Sequence, residues 1–489
     1  MKKTKITGVI LLCFVILLIS CSKNQEAKTD NNNPSENAGA GESVQEKDPD
    51  APDTPKLDFD GKTFTFFTAG WGGEDTLYPD LVVEEYNSEP INDAAYDRKI
   101  KIEQEYNCKI KHVDVRENDE AVSQYRTAIL ANDKTYDVGI TNCSNFTTLL
   151  SGNYLIDFKE LTYIDMDKPY WDKNFYESMA ITGRHFGASG DISKRRLECV
   201  WIMCFNKAMI NDNAFDSPYD LVKSGQWTFE KMTEMGKKVA RNLDGSGKMN
   251  ENDVFGLNYT GDTIMGLING CGVKIAELND EGIPELTIAS EKNLEKLMKI
   301  YTETRDDSFS IDTLFRFWLG DTDIFSQDRC LFLACATHNI NKLRELDVDF
   351  GIIPYPKWDE AQANYMPHTA GVFHPVITVP NTNGDLDATG IILEAMAYEG
   401  RKTIVPAFYD SLLKTKTARD EESLDMIDYI FGHIYYDVGN MYNFGEIVGT
   451  FGYGMSSADN RRANIVSTVE KNSGKWEKAI NSIIEGLAE

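Results

Sequence analysis

The chain has 489 residues, 42% apolar and 26% charged, and its 78 acids against 50 bases leave a formal net charge of −28. That composition is globular and long enough for two or three cores, which excludes a disulfide-stapled miniature and a mostly disordered chain. Acidity on this scale argues against a sequence-independent grip on nucleic acid and against docking on anionic lipid, both of which depend on Lys and Arg; it suits a soluble exported protein with a neutral or cationic ligand.

Met1 to Cys21 opens with Lys2, Lys3 and Lys5, continues as an apolar run from Val9 to Ile19 and closes on Leu18-Ile19-Ser20-Cys21. The run is short for a membrane span and has the layout of an export signal over residues 1–20. Leu-Ile-Ser-Cys resembles the lipobox of bacterial lipoproteins. The resemblance implies cleavage before Cys21, whose thiol and new amino group are acylated, which anchors the chain to the outer face of the cell membrane. The alternatives are a transmembrane helix or a soluble secreted protein. Residues 21–57, rich in Asn, Glu, Asp, Ala, Gly and Pro, cannot form a core and read as a flexible tether reaching several nanometres.

Seven cysteines remain beyond Cys13 and Cys21, namely Cys108, Cys143, Cys199, Cys204, Cys271, Cys330 and Cys335. Seven is odd, no Cys-x-x-Cys occurs, and most sit in apolar runs, so buried free thiols are expected.

From Lys62 onward short strands alternate with amphipathic helices. Lys62 to Thr68 alternates polar and apolar residues and stops at Gly70, as a strand does. Asn92 to about Asn107 reads as helix, Tyr136 to Thr141 as strand, and Asn145 to Ser151 as a short helix ending at Gly152. An apolar strand follows around Glu198 to Phe205. Thr228 caps the next helix with Glu230 in its first turn, and Val348 to Pro354 is a further strand. From Leu386 the chain is almost wholly helical, with Trp476, Ile480, Ile484 and Leu487 on one stripe. Interleaved strands and helices over some 430 residues argue two α/β lobes.

Several segments then resemble the extracellular solute-binding proteins of ABC sugar importers, in the group similar to maltose-binding protein. Tyr136-Asp-Val-Gly-Ile followed by Gly152-Asn-Tyr-Leu-Ile-Asp157 resembles that family's strand and "G-x-L-x-D-L" helix, with Phe158 in place of Leu. Phe205-Asn-Lys207 resembles its "Y/F-N-K" strand end, and Lys223 to Glu230 its "G-x-W-T-W/F-D/E" helix start. Pro406 to Asp410 with Arg419 to Ser423 resembles a late helical stretch of one branch. The resemblance implies a type II periplasmic-binding-protein-like fold, two lobes with hinge crossings, and ligand in the cleft. It further implies a monomer with a carbohydrate ligand, ABC permease transmembrane subunits as partners and no catalytic cofactor. On this reading lobe 1 begins as 58–165, lobe 2 as 166–328, lobe 1 returns over 329–375, and a helical part 376–489 completes lobe 2 and packs on both. Crossings are expected near Tyr163 to Tyr170, Phe325 to Leu333 and Thr369 to Pro380.

Catalytic signatures are poor. There is no Gly-x-Ser-x-Gly elbow, His-Glu-x-x-His pair or phosphate-cradling loop, and none of the six histidines pairs with another at ligand spacing. Asn242 to Asp253 does follow the twelve-residue EF-hand layout. Asn242, Asp244, Ser246, Asn250 and Asp253 bear oxygens at positions 1, 3, 5, 9 and 12, Gly247 stands at 6, and Lys248 offers a carbonyl at 7. Asn at 1 and the shorter Asp at 12 weaken it. The two readings are a weak structural Ca²⁺ site and a polar loop held by Asx turns.

A sugar needs aromatic platforms with amides and carboxylates for its hydroxyls. Loops at strand ends supply the candidates: Trp71 between glycines, Asn142 and Ser144 after the Tyr136 strand, Asp191 near the entry to the second lobe, and Tyr259, Trp318 and His338. Trp201, Trp227 and Trp476 sit in core patterns. The reading is a lipid-anchored binder of a carbohydrate, with an oligosaccharide expected; the alternatives are the same architecture for peptide or another solute, and a surface glycan-binding or degrading lipoprotein without a permease.

Overall fold

Strand formation begins where the alternation places it, at β1 (Thr63–Ala69), whose last six residues are all buried. Phe64 and Phe66 face one cluster with Ile102, and Phe67 faces another with Tyr125. A strand buried on both faces is what helices on either side of a parallel sheet produce. The computed structural model describes residues 48–70, 76–314, 319–320, 322–343, 348–413, 420–455 and 463–488. Helix α1 (Pro90–Glu105) starts with Pro at its first turn and a Glu89 carboxylate that accepts Asn92 N–H at 2.8 Å, and it leads into β2 (Lys109–Val115), parallel to β1. Helix α2 (Asn118–Ala131) leads to β3 (Val138–Thr141), parallel to β1 on its other side. The sheet is completed by a strand from far along the chain, β11 (Val376–Thr378), antiparallel to β3, in the order β11-β3-β1-β2.

The second sheet runs β10-β4-β9-β5-β8, built from β4 (Trp201–Asn206), β5 (Phe255–Tyr259), β8 (Ser310–Asp312), β9 (Cys330–Ala336) and β10 (Phe350–Ile353). A small hairpin of β6 (Ala276–Leu278) and β7 (Pro284–Leu286) stands apart. Strand β9, Cys-Leu-Phe-Leu-Ala-Cys-Ala, is buried at every residue, and the seven cysteines from Cys108 to Cys335 are buried with none joined in a disulfide. Thr228 caps the helix Phe229–Val239 through its hydroxyl, which accepts Lys231 N–H at 3.1 Å. That helix lies so close to β5 that a Cβ on Gly256 would stand 2.5 Å from Gly236 backbone.

Two sequence expectations need correction. Residues 163–170 do not cross between sheets: the Tyr170 hydroxyl and Trp171 indole donate to Glu394, at 2.5 and 2.8 Å, on the helix Leu386–Leu413 that packs on α1. Nor does 329–375 return to the first lobe, because its apolar strands β9 and β10 pair inside the second sheet. The chain passes instead through two neighbouring straps, 188–200 and 369–376. They are bridged at one end by Ala188 and Ile377, beside the first sheet, and at the other by Val200 and Thr369, beside the second. The last helix, Ile465–Ala488, buries Trp476, Ile480 and Ile483 and touches both α3 (Cys143–Ser151) of the first half and the helix Glu291–Thr304 of the second. Among the described residues no helix is long and apolar enough to cross a membrane.

Candidate binding cleft

The strand registers decide where a cleft can lie. Val376 pairs with Thr141 at the C-terminal end of β3, and Trp201 pairs with Ala336 at the C-terminal end of β9. Each strap therefore joins the C-terminal edge of one sheet to that of the other, so the loops after β1, β3, β5, β8 and β9 open toward the region between them. Such edges are where open α/β sheets hold ligands.

The straps are cross-linked to each other. Ala188 and Ile377 exchange backbone hydrogen bonds at 2.9 and 2.8 Å. His374 lies between the straps, with Nε2 3.0 Å from Ser189 Oγ and Nδ1 3.1 Å from Thr369 Oγ1. Burial pushes its imidazole down to about 3, with Arg196, His368 and Arg195 acting in the same direction. Burial likewise takes His368 down to about 4, against a backbone hydrogen bond at Thr369. The first strap is clamped to the first lobe: Asp80 accepts Ser193 Oγ at 2.9 Å and Lys194 N–H at 2.6 Å, and Arg98 Nη2 donates to the carbonyls of Asp80 and Leu81 at 2.7 and 2.8 Å.

Where strap and second sheet meet lies a cavity of ≈ 230 Å³, bordered by Arg195, Trp201, Thr263, His338, Asn339 and Phe373 among others. It is smaller than the about 300–1,000 Å³ of drug-sized pockets, which suits one small ring or an appended group. Trp201 is 5% exposed. Among the described residues its indole N–H has no hydrogen-bond partner, and neither has Arg195 Nε.

The sequence-derived candidates separate on this geometry. His338 borders the cavity. Asn142 and Ser144 stand at the β3 edge of the first sheet. There the Asn142 carbonyl oxygen caps α3 by accepting Asn145 N–H at 2.9 Å, its amide donates to Asn118 Oδ1 at 2.8 Å, and Ser144 Oγ accepts Asn443 Nδ2 at 3.1 Å. Asp191 is 1% exposed, its carboxylate taken by Arg196 Nε at 2.8 Å and Arg401 Nη1 at 3.4 Å, so it locks the strap and is not open to ligand. Tyr259 is 2% exposed and its hydroxyl donates to Thr304 O at 2.8 Å, which turns it into the core. Trp71, Trp318 and Cys21 lie outside the described residues. Sequence reasoning missed Arg195, Phe373 and Asn339; Trp201, assigned to the core, is buried in the second cluster and also borders the cavity.

In the 242–253 loop, Asn242 Nδ2 donates to Lys248 O at 3.2 Å, Asp253 Oδ2 at 3.0 Å and Ser246 Oγ at 3.4 Å. Asp253 also accepts the backbone N–H groups of Leu243 and Asn250, both at 2.7 Å; although burial opposes it, these donors hold its carboxyl below the usual range. The oxygens of positions 5, 7 and 12 thus converge on the amide of position 1. Asp244 and Asn250, at 3 and 9, meet at 3.4 Å on the exposed side.

No protein-family model and no curated protein sequence matches the chain. Solved structures do. The chain is similar to the GacH receptor of Streptomyces glaucescens, solved unliganded and with acarbose, at TM-score 0.57 and 13% identity over 86% of this chain and 99% of that one. It is also similar to UgpB from Mycobacterium tuberculosis in complex with glycerophosphocholine, at TM-score 0.55 and 13% identity over 83% and 99%. An ABC substrate-binding protein from Listeria monocytogenes in complex with cycloalternan aligns at TM-score 0.53 and 14% identity over 88% and 100%.

Proposed function

From the maltose-binding-protein-like, type II fold of ABC-transporter solute-binding proteins, which this chain has, we propose that it captures a carbohydrate between its two lobes. It then delivers that ligand, as a lipid-anchored extracellular protein held at Cys21, to an ABC permease. It acts as a monomer, needs no catalytic cofactor and breaks no bond. The observation that carries the reading is the pair of neighbouring straps joining the C-terminal edges of two separate sheets. Such straps allow closure by hinge, and closure turns occupancy into a shape that a transporter can read. An oligosaccharide would extend from the Trp201 cavity along the strand-end loops, and Trp71 and Trp318 are proposed as its further aromatic contacts.

A ligand that binds only the folded state raises apparent stability by mass action. Thermal shift of the purified protein against sugars, peptides and small polar solutes therefore tests the reading, with product analysis on glycans. Stabilisation by a saccharide supports it; turnover of any glycan overturns it. Stabilisation by a non-sugar alone favours the second reading, which rests on a similar structure holding glycerophosphocholine.

The 242–253 loop is proposed as a weak structural Ca²⁺ site. Four of its oxygen-bearing residues, Asn242, Ser246, Lys248 and Asp253, already converge, and rotation of the Asn242 amide would offer its oxygen to a cation. Chelator is expected to lower the melting temperature and added Ca²⁺ to restore it. An unchanged melting temperature means the loop is held by its own hydrogen bonds.

A further inference from the structure

Resting on that reading, we infer that the ligand carries an oxyanion, the carboxylate of an acidic sugar or a phosphate, which docks on Arg195 in the cavity beside Trp201. Arg195 belongs to the run Lys194-Arg195-Arg196 on the first strap, and its neighbours are spoken for. Arg196 is bound to Asp191, and Lys194 to Glu198. Arg195 is left with a long ion pair to Glu198, 3.6 Å from Nη1 to Oε2, and with the Phe373 ring, whose centroid is 5.9 Å from its Cζ. Its side chain is only 12% exposed, and Nε has no hydrogen-bond partner among the described residues.

A guanidinium has five N–H donors in a fork that matches carboxylate and phosphate. Left underpaired away from water, it is costly. Closure of the lobes would strip its remaining hydration, so an occupant that brings an anion is favoured over a neutral one of the same shape. Trp201, which also borders the cavity, adds a second donor without a partner among the described residues, and neither it nor Arg195 can accept a hydrogen bond. Asp262 also borders the cavity and is already engaged. The net charge of −28 opposes the approach of an anion at long range but is screened beyond about 8 Å at physiological ionic strength. What decides affinity is the local group in the closed site.

The test titrates the intact protein by calorimetry with three probes: a galacturonate oligosaccharide, the neutral galactose oligosaccharide of the same linkage, and a sugar phosphate. Expected is at least ten-fold tighter binding of one oxyanion-bearing probe than of the neutral one, with the two acidic arms separating carboxylate from phosphate. Arg195→Gln should abolish that preference. Trp201→Phe keeps an aromatic face and removes one donor, so it should weaken the acidic probe while the fold, checked by its melting curve, persists. Equal affinities for acidic and neutral sugars, or a preference that survives Arg195→Gln, overturn the inference and leave the binding reading intact. If no saccharide or sugar phosphate binds the wild-type protein, both fall.

Discussion

At the scale of single residues, what a charged side chain does depends on its partners. Asp191 and Arg195 are four positions apart on one strap. Asp191 is saturated by Arg196 and Arg401, whereas Arg195 is underpaired at a cavity. From sequence, Asp191 is a ligand candidate because it lies near the expected entry to the second lobe. Which partner it would meet depended on Arg401, some 210 positions away, and no local pattern reports that. Removing one member of a buried ion pair leaves an uncompensated charge and typically costs ~3–5 kcal/mol. Asp191→Ala is therefore expected to lower the urea midpoint strongly while the folded fraction keeps its ligand affinity, read by denaturation and by calorimetry at low denaturant. A variant that stays stable but loses affinity would restore Asp191 to the binding site.

At the scale of elements, what the sequence discloses is local. The alternation of Lys62 to Thr68 matches β1, Thr228 caps its helix, and the stripe of Trp476 and Ile480 is buried, because each depends on neighbours within one turn or one strand. The straps and β11 depend on pairings across some 170 to 240 positions, so the first strap was not placed, while the second strap and β11 fall within the crossing expected around Thr369 to Pro380. One glycine marks such a long-range approach. A Cβ on Gly400, in the helix Leu386–Leu413, would stand 1.8 Å from Asp191 O, so the helix presses on the strap only because that position has no side chain. In an exposed helix interior, Ala gains about 1 kcal/mol over Gly, but overpacking costs about 1–3 kcal/mol or more. Gly400→Ala is expected to destabilise. Gly474→Ala, in the helix Ile465–Ala488 with nothing within 4 Å of the added atom, is expected to stabilise by up to about 1 kcal/mol. Paired urea midpoints check both, and a stabilised Gly400→Ala would mean that helix and strap do not touch so closely.

Across the whole molecule, buried titratable groups of opposite kinds set the response to acid. Burial holds His368 down to about 4 and His374 down to about 3, so both stay neutral in the fold while the unfolded chain takes up their protons below about 6.5. Their contribution is present above that value and is lost as pH falls. Glu394 and Asp437 run the other way. Burial lifts each to about 7 despite the hydrogen bonds they accept, so the fold holds their protons where the unfolded chain has released them, and their contribution is lost as pH rises from about 4 to 7. Stability changes with pH by the difference in protons bound by the unfolded and folded states. Between pH 5 and 6 these four groups bind two protons in each state, and their slopes cancel. His374→Gln breaks the balance: the folded chain then holds one proton more than the unfolded, and stability rises on acidification by about 1.4 kcal/mol per pH unit relative to wild type. Urea melts of both proteins at pH 5.0, 5.5 and 6.0 measure it. Parallel curves would mean that His374 is already charged in the fold, which would put a cation between the straps and change how they can hinge.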